Sequence, residues 1–247
     1  MSEDIALLLH GWDYNANEVT VRKIVGIDGR EKIQMRLDLG VLQMDTEGRP
    51  DGIRPHGRES LLEYHQDRRK RFDLHAGSGE EFQLTAEECS ELKQEAMQYY
   101  YRYLSLFHLG EYLGVIRDTQ RNLRVFDFIN ECAEEESDRM SLEQFRPYVL
   151  MMNTRAKACL LLEEREFDRA LEEIENGIER IENFFREIER EEMAEGCREI
   201  SFLQDWSDRI RSNSPVGRLR QKLRMAVEAE DYERAAQLRD EIKEMAY

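Results

Sequence analysis

The chain has 247 residues, with 36 Lys and Arg against 53 Asp and Glu, so its formal net charge is −17. Its 14 glycines and 4 prolines are too few for a collagen-like or linker-dominated chain. Nucleic-acid binding through phosphate neutralisation needs a positive face, so the acidic balance disfavours direct nucleic-acid binding.

The sequence also lacks the usual signs of export or membrane insertion. No stretch approaches the roughly 18 consecutive apolar residues of a membrane span, so we expect no membrane association. The start Met1–Asp4 is acidic and lacks the basic region of a standard secretory signal. The four cysteines form no Cys-x-x-Cys pair, which favours reduced thiols over a local zinc site. We therefore expect a cytoplasmic protein that holds neither a metal nor a cofactor.

The first 84 residues differ from the rest, because they hold 9 of the 14 glycines and show strand periodicity. A β-branched run precedes Asp28-Gly29, a dipeptide typical of tight hairpin turns. The next run alternates apolar and polar residues, as a half-buried strand does. The predicted elements are strands over 19–25 and 33–39, an extension over 40–44 after a bulge, and a helix over 59–71. Residues 1–84 are therefore predicted to form a small α+β unit built on a β-hairpin.

Two clusters in this region could bind anions. The segment Gly48–Gly52, with Arg54 and Arg58 after it, has turn chemistry. It could bind an anion, or it could be a rigid turn held by Asp51, and both interpretations stay open. The basic run Arg68–Arg71 could form a phosphate patch, but its acidic neighbours favour cations at the end of a helix.

From residue 85 the hydrophobic period becomes helical. Thr85 and Glu88 fit a capping box at the start of the first long helix. Four apolar stripes follow with short breaks between them, and such breaks make consecutive helices antiparallel neighbours. Ser141 is the predicted cap of the third helix, with Phe145 on its packed side. We therefore predict an antiparallel helical bundle over residues 85–213.

Two helix connections in this bundle look alike. Gly110-Glu111-Tyr112 and Arg165-Glu166-Phe167 each place an aromatic residue after a glutamate at the start of a helix. The second connection resembles a tetratricopeptide repeat. The two aromatic residues are 55 positions apart, however, whereas a regular array repeats every 34 or so. The bundle is therefore described as TPR-like, with a plain four-helix bundle as the alternative.

Residues 214–247 are predicted to form a compact helical hairpin, preceded by a linker over Ser212–Pro215. Ser214 suits the N-cap of the first arm, and Pro215 suits its first helical position. Apolar residues lie at helical spacing on both arms, and small alanines let two helices approach closely. Such short arms are marginal in water, so we expect the hairpin to dock on another surface.

The hairpin closely resembles the UVR (UvrB/UvrC) motif. The resemblance is carried by Leu219 and Leu223, then by the run Asp231-Tyr232-Glu233-Arg234-Ala235-Ala236-Gln237-Leu238-Arg239-Asp240-Glu241-Ile242. It covers about 30 residues at the C-terminal end of the sequence. In the excision-repair subunits B and C, such motifs pair with one another, so the resemblance implies a module for protein–protein contact. Similar motifs occur in Clp-class unfoldases and in the activator of a protein arginine kinase, whose zinc-binding Cys pairs this chain lacks.

The resemblance implies a set of partner-binding residues on both arms. They are Leu219, Leu223, Val227, Tyr232, Ala235, Ala236, Leu238, Arg239, Asp240 and Ile242. The apolar members would be buried against a partner hairpin, while Arg239 and Asp240 would fix the register through charge pairing. The implied partner is a second copy, an excision-repair subunit or a Clp-type unfoldase.

The expected function is that of a non-enzymatic, bacterial interaction or adaptor protein. The sequence offers no catalytic residues, because it contains neither a Gly-x-Ser-x-Gly elbow nor a phosphate-binding P-loop, and its five histidines are scattered. Two alternatives remain. One is an accessory factor in nucleotide excision DNA repair that acts through repair subunits, and the other is an enzyme with a pocket in residues 1–84.

Overall fold

The structure, a computed structural model, describes residues 4–77 and 79–245, which are mostly helical. The chain divides into two compact units, Met1–Ala156 and Lys157–Tyr247. This division falls inside the predicted bundle region. The limits predicted after residues 84 and 213 from the hydrophobic period stay predictions.

The first unit contains a small antiparallel sheet, after a short helix α1 (Ala6–Leu9). Its strands, in the order β1-β2-β3, are β1 (Val21–Val25), β2 (Glu31–Arg36) and β3 (Val41–Asp45). The predicted hairpin is confirmed, but the extension over 40–44 is wrong. The backbone N–H of Leu37 donates to the carbonyl of Gly40 at 2.9 Å, so the chain turns back there. The segment then pairs with β2 as a third strand, with Met44 opposite Ile33.

The helices of the first unit bury the main apolar core, and α3 contacts strand β2. They are α2 (Leu61–Asp73), α3 (Ala86–His108), α4 (Tyr112–Cys132), α5 (Glu136–Arg139) and the first part of α6 (Arg146–Glu163), with 3-10 turns at Pro55–Gly57 and Glu143–Phe145. The predicted capping box is confirmed, since Thr85 Oγ1 accepts from the N–H of Glu88 and the Glu88 carboxylate accepts from that of Thr85. The core lies chiefly between α2, α3 and α4.

The start of the third long helix was predicted wrongly. Ser141 does not cap it, because a 3-10 turn follows and α6 begins only at Arg146. Phe145 was expected on the packed side, yet its side chain is 51 % exposed because it ends that turn instead of lying on the helix. The next residues of the stripe, Val149, Met152 and Ala156, are buried as expected.

The second unit is built from helices. It holds the end of α6, then α7 (Phe167–Glu187), α8 (Glu192–Glu195), α9 (Arg198–Asn213), α10 (Pro215–Glu228) and α11 (Tyr232–Met245). Helix α7 packs against α9, and the apolar stripe predicted for α7 is buried at Ala170, Ile174, Ile181 and Phe185. Only Ser214 separates α9 from α10. The linker predicted over Ser212–Pro215 is therefore a sharp corner between two helices and not an extended spacer.

The two helix connections that look alike in the sequence share the same kind of backbone turn. Gly110 and Arg165 both have positive φ angles, of 75° and 62°, and Glu230 repeats this at 57°. In each case the next N–H donates to a carbonyl five residues back. The pairs are Glu111 with Leu106 at 2.9 Å, Glu166 with Leu161 at 2.8 Å, and Asp231 with Ala226 at 2.9 Å. This is the Schellman pattern, which ends one helix and starts the next.

Candidate functional site: the C-terminal hairpin

Helices α10 and α11 pack against each other as an antiparallel hairpin. Ser214 Oγ accepts from the N–H of Gly217 at 3.0 Å, and Pro215 occupies the first turn, so the predicted helix start is confirmed. At the other end of the hairpin, Asp231 Oδ1 accepts from the N–H of Arg234 at 3.0 Å. This bond starts α11 immediately after the turn.

Part of the predicted partner-binding set holds the two arms together. Ala235 and Leu238 are 7 % and 2 % exposed, and no other described side chain of α10 or α11 is as buried. Leu219, Leu223 and Ile242 are half-buried. These residues lie on the inner faces of the hairpin, so the chain itself already covers much of their apolar surface.

The other predicted residues lie in solvent. Val227 is 50 % exposed, Tyr232 is 68 % exposed, and Ala236 is exposed as well. Met225, which is 60 % exposed, was missed by the sequence reasoning because it lies off the apolar stripe of α10. We call Met225, Val227 and Tyr232 the turn patch, since they lie within eight residues of sequence that span the turn. Met225 and Val227 are two residues apart on α10 and point to different sides of it, so the turn patch offers exposed apolar side chains around the turn and not one continuous surface.

Arg239 and Asp240 pair with each other in the free chain. Arg239 Nε donates to Asp240 Oδ1 at 3.0 Å, and both side chains are 59 % exposed. Exposed pairs between sequence neighbours are weak, so either side chain can exchange this contact for one with a partner. Both side chains therefore lie outside the packing of the fold.

The hairpin has opposite charges along its length. No acidic residue occurs between 209 and 227, whereas this stretch carries Arg209, Arg211, Arg218, Arg220, Lys222 and Arg224. The turn and the start of α11 carry Glu228, Glu230, Asp231 and Glu233. The first arm is thus positive and the turn is negative, within a chain of net charge −17.

The corner between α9 and α10 leaves no room for a side chain at Gly217. A Cβ built there would overlap the carbonyl oxygen of Arg211 and lie 2.9 Å from that of Ser212. The side chain of Arg218 also donates from Nε to the Asn213 carbonyl at 2.9 Å. The hairpin is therefore joined to α9 by a close backbone contact.

Comparison with known families agrees with this geometry. Residues 214–246 match the family model of the UvrB/uvrC motif. The expected UVR motif is present. Comparison of the chain with curated proteins and with solved structures gives no significant match.

Other kinds of site find less support in the described residues. No group of three or more His, Cys, Asp or Glu side chains could hold a metal ion within 4–77 and 79–245. No helix in this part of the chain is long and apolar enough to cross a membrane. In the basic run, Arg68 pairs with Glu88 and Arg69 with Glu131 at 2.6 Å, as expected of cations at a helix end.

The segment Gly48–Gly52 forms the rigid turn that was one of its two interpretations. Asp51 Oδ1 accepts from the N–H of Ile53 at 2.9 Å, and its other oxygen accepts from Gln98 Nε2 at 3.1 Å. Gly52 has a φ of 74° and donates its N–H to the carbonyl of Arg49 at 2.9 Å. Asp51 thus closes the turn and attaches it to α3.

Proposed function

We propose that this protein is a non-enzymatic, cytoplasmic bacterial adaptor that docks onto a protein partner through the hairpin of residues 214–246. The observation that carries the proposal is the turn patch. Its apolar side chains lie in solvent on a segment that matches the UvrB/uvrC motif. A short two-helix unit gains stability when such a surface is covered.

The charge distribution favours a second hairpin of the same kind as the partner. Two such hairpins aligned antiparallel would bring the positive first arm of each, with Arg220 and Arg224, near the negative turn of the other, with Glu230 and Asp231. Complementary charges of this kind fix register and speed association more than they add affinity. A second copy of this chain supplies such a hairpin, and so would an excision-repair subunit or a Clp-type unfoldase that carries the motif.

The alternatives rest on less. A role as accessory factor in nucleotide excision repair is supported by the name of the motif alone. An enzyme with a pocket in residues 1–84 would need a nucleophile or base there. A cavity that touches this region also draws on residues 99–124, and it is lined by Ser60 and several carboxylates, with neither His nor Cys beside them.

The proposal is tested by removing the turn patch. We expect Tyr232→Ser to weaken binding roughly tenfold or more, since a central buried aromatic residue dominates a small interface. Met193→Ser is the matched control, because Met193 is 52 % exposed in the same unit but lies outside the hairpin.

The measurement is sedimentation equilibrium of the full chain, with calorimetric titrations against purified excision-repair subunits and a Clp-type unfoldase as further arms. The arm in which wild type associates and Tyr232→Ser does not identifies the partner. Equal association of wild type, Tyr232→Ser and Met193→Ser, or association in no arm, would contradict the proposal.

A further inference from the structure

A cavity of about 150 Å³ lies in the first unit. It is bounded by the turn after β3, the start of α2, and the facing sides of α3 and α4. Four arginines line it: Arg102 from α3, and Arg117, Arg121 and Arg124 from α4. The carboxylates of Glu47, Glu59, Glu63 and Asp118 line it as well.

The first pair of arginines is held by one buried carboxylate. Arg102 is 1 % exposed and binds both oxygens of Asp118, at 2.7 and 2.8 Å. Its remaining nitrogen donates to the carbonyls of Asp45 and Gly48, at 3.0 and 2.8 Å. Arg117 Nε also donates to Asp118, at 2.9 Å. All three guanidinium nitrogens of Arg102 thus make hydrogen bonds that attach the turn after β3 to the helices.

A second buried carboxylate, Glu95, is shared more widely. It is fully buried, pairs with Arg121, lies 3.1 Å from Arg49 Nε, and accepts the N–H of Leu61 at 2.8 Å. Glu95 and Asp118 together face four guanidinium groups, but Arg117 also pairs with Glu47, and Arg49 lies 3.4 Å from Asp51. The two buried pairs, Arg102 with Asp118 and Arg121 with Glu95, balance in charge, so a further anion must be held by nitrogen atoms that this network leaves without a partner.

Arg121 is the member of this network that lines the cavity with an unsatisfied nitrogen. It is 5 % exposed, and its Nε has no hydrogen-bond partner among residues 4–77 and 79–245. Burial lowers the pKa of its guanidinium, because the charged form is desolvated there. The ring of Tyr99, 4.0 Å from the guanidinium, supplies partial compensation.

The mouth of the cavity combines a cation with carboxylates in solvent. The Arg124 side chain is exposed and makes no hydrogen bond or ion pair with the described residues. Glu47, Glu59 and Glu63, which also line the cavity, are all exposed, and Glu47 pairs with Arg117. Water and salt screen charges at such positions, whereas the buried guanidinium groups are screened much less.

We propose that this cavity binds a small oxyanion of phosphate size. The exposed side chain of Arg124 would contact the anion, and the buried guanidinium of Arg121 would add positive charge. The volume is well under the roughly 300 Å³ or more typical of sites for larger ligands, so a nucleotide does not fit inside. The shared chemistry is a phosphate group, either free or as a small monoester.

The test is calorimetric titration of the full chain with sodium phosphate and with glycerol phosphate, against sodium chloride at equal ionic strength. We expect phosphate to bind and chloride not to. Arg124→Gln should weaken phosphate binding roughly tenfold, because one charge-assisted contact is lost. Arg54→Gln, also an exposed arginine of this unit with no partner among the described residues, should change the affinity less than about twofold.

Each outcome decides the proposal. Tighter binding of glycerol phosphate than of phosphate supports it and identifies the monoester as the source. No heat beyond that of chloride, or equal affinity of Arg124→Gln and Arg54→Gln, overturns it. Circular dichroism of both variants confirms that the chain is folded, and the exposure of both side chains predicts that it is.

Discussion

His65 illustrates how burial fixes the protonation state of one side chain. It is 1 % exposed, and Arg68 Nη1 lies 3.0 Å from its Nδ1. Because arginine can only donate, Nδ1 must accept, which places the proton of the neutral ring on Nε2. A second proton would break this bond and set two cations side by side. Burial lowers the pKa of His65 to about 4. The positive charges of Arg68 and His56 also lower this pKa, whereas the negative charge of Glu88 raises it.

The neutral state of His65 predicts a pH dependence of stability. The unfolded chain binds this proton below about pH 6.5, whereas the folded chain does so only near pH 4. The free energy of unfolding should therefore fall by about 3 kcal/mol as the pH is lowered through this window. Urea unfolding of wild type and His65→Leu at a series of pH values measures the difference. His75→Leu, at an exposed histidine, is the control, and an equal pH slope in all three proteins would refute the prediction.

At the scale of elements, two of the helix connections place a residue other than glycine in the left-handed backbone conformation, which costs free energy. Gly110 takes the left-handed conformation without penalty, but Arg165 and Glu230 adopt it with φ angles of 62° and 57°. This conformation is unfavourable for a residue that has a Cβ atom, so it destabilises the folded state. The turns that Arg165 and Glu230 make are therefore less stable than the turn that Gly110 makes.

Glu230→Gly should stabilise the hairpin by about 1 kcal/mol, because it removes this cost from the turn. The matched control is Glu228→Gly, two residues earlier at the end of α10, where glycine should lower stability by a similar amount. Hydrogen exchange of the α10 and α11 amides in the full chain measures both changes. Slower exchange in Glu230→Gly and faster exchange in Glu228→Gly is expected, and the opposite order would contradict the assignment of the turn.

Gly217→Ala should disturb the corner between α9 and α10. The added methyl would overlap the Arg211 carbonyl, and backbone cannot move aside as a flexible side chain can. We expect a loss of at least about 1–3 kcal/mol in the stability of the hairpin region. Gly196→Ala is the control, because a Cβ there meets no atom within 4 Å. Hydrogen exchange at residues 209–220 distinguishes them, and equal protection in both variants would show that the corner is open.

Several elements were predictable because local chemistry decides them. The capping box at Thr85, the helix start at Ser214 and the buried stripe of α7 depend on residues close in sequence. The third strand and the start of α6 were not predictable in the same way. Periodicity does not tell whether a strand continues or turns back at Gly40, and Ser141 offers cap chemistry that tertiary packing does not use.

The candidate site shows the same division. Sequence spacing identified the apolar residues of the hairpin, and Ala235 and Leu238 prove to be buried between its arms. It could not separate inner from outer positions, since that depends on how the arms cross, and it therefore missed Met225. The arginine cavity could not be predicted from the sequence. Its four arginines come from two helices, and only the folded chain brings them together with Glu95 and Asp118.

At the scale of the whole molecule, charge limits which surfaces can associate. Residues 85–213 carry 30 acidic against 17 basic side chains, whereas residues 214–247 carry 7 of each. Two copies should therefore repel one another through most of their surfaces and least through the hairpins. Added salt screens both this repulsion and the attraction between a positive first arm and a negative turn, and a titration of the association constant with salt shows which of the two is larger.

The central claim is that the hairpin is the docking element, and Ala236→Glu tests it most directly. Ala236 is exposed in the free chain, so a glutamate there should leave the helical circular dichroism unchanged. In a complex that covers this face, the same charge would be buried without a partner, at a cost of roughly 3–5 kcal/mol. Ser201→Glu, on the exposed side of α9, is the control.

Sedimentation equilibrium of the wild-type complex and of both variants gives the decisive comparison. The account predicts that association is lost in Ala236→Glu and retained in Ser201→Glu, with all three chains equally helical. Association of Ala236→Glu at wild-type strength would contradict it, because the face that carries Ala236 would then lie outside the interface.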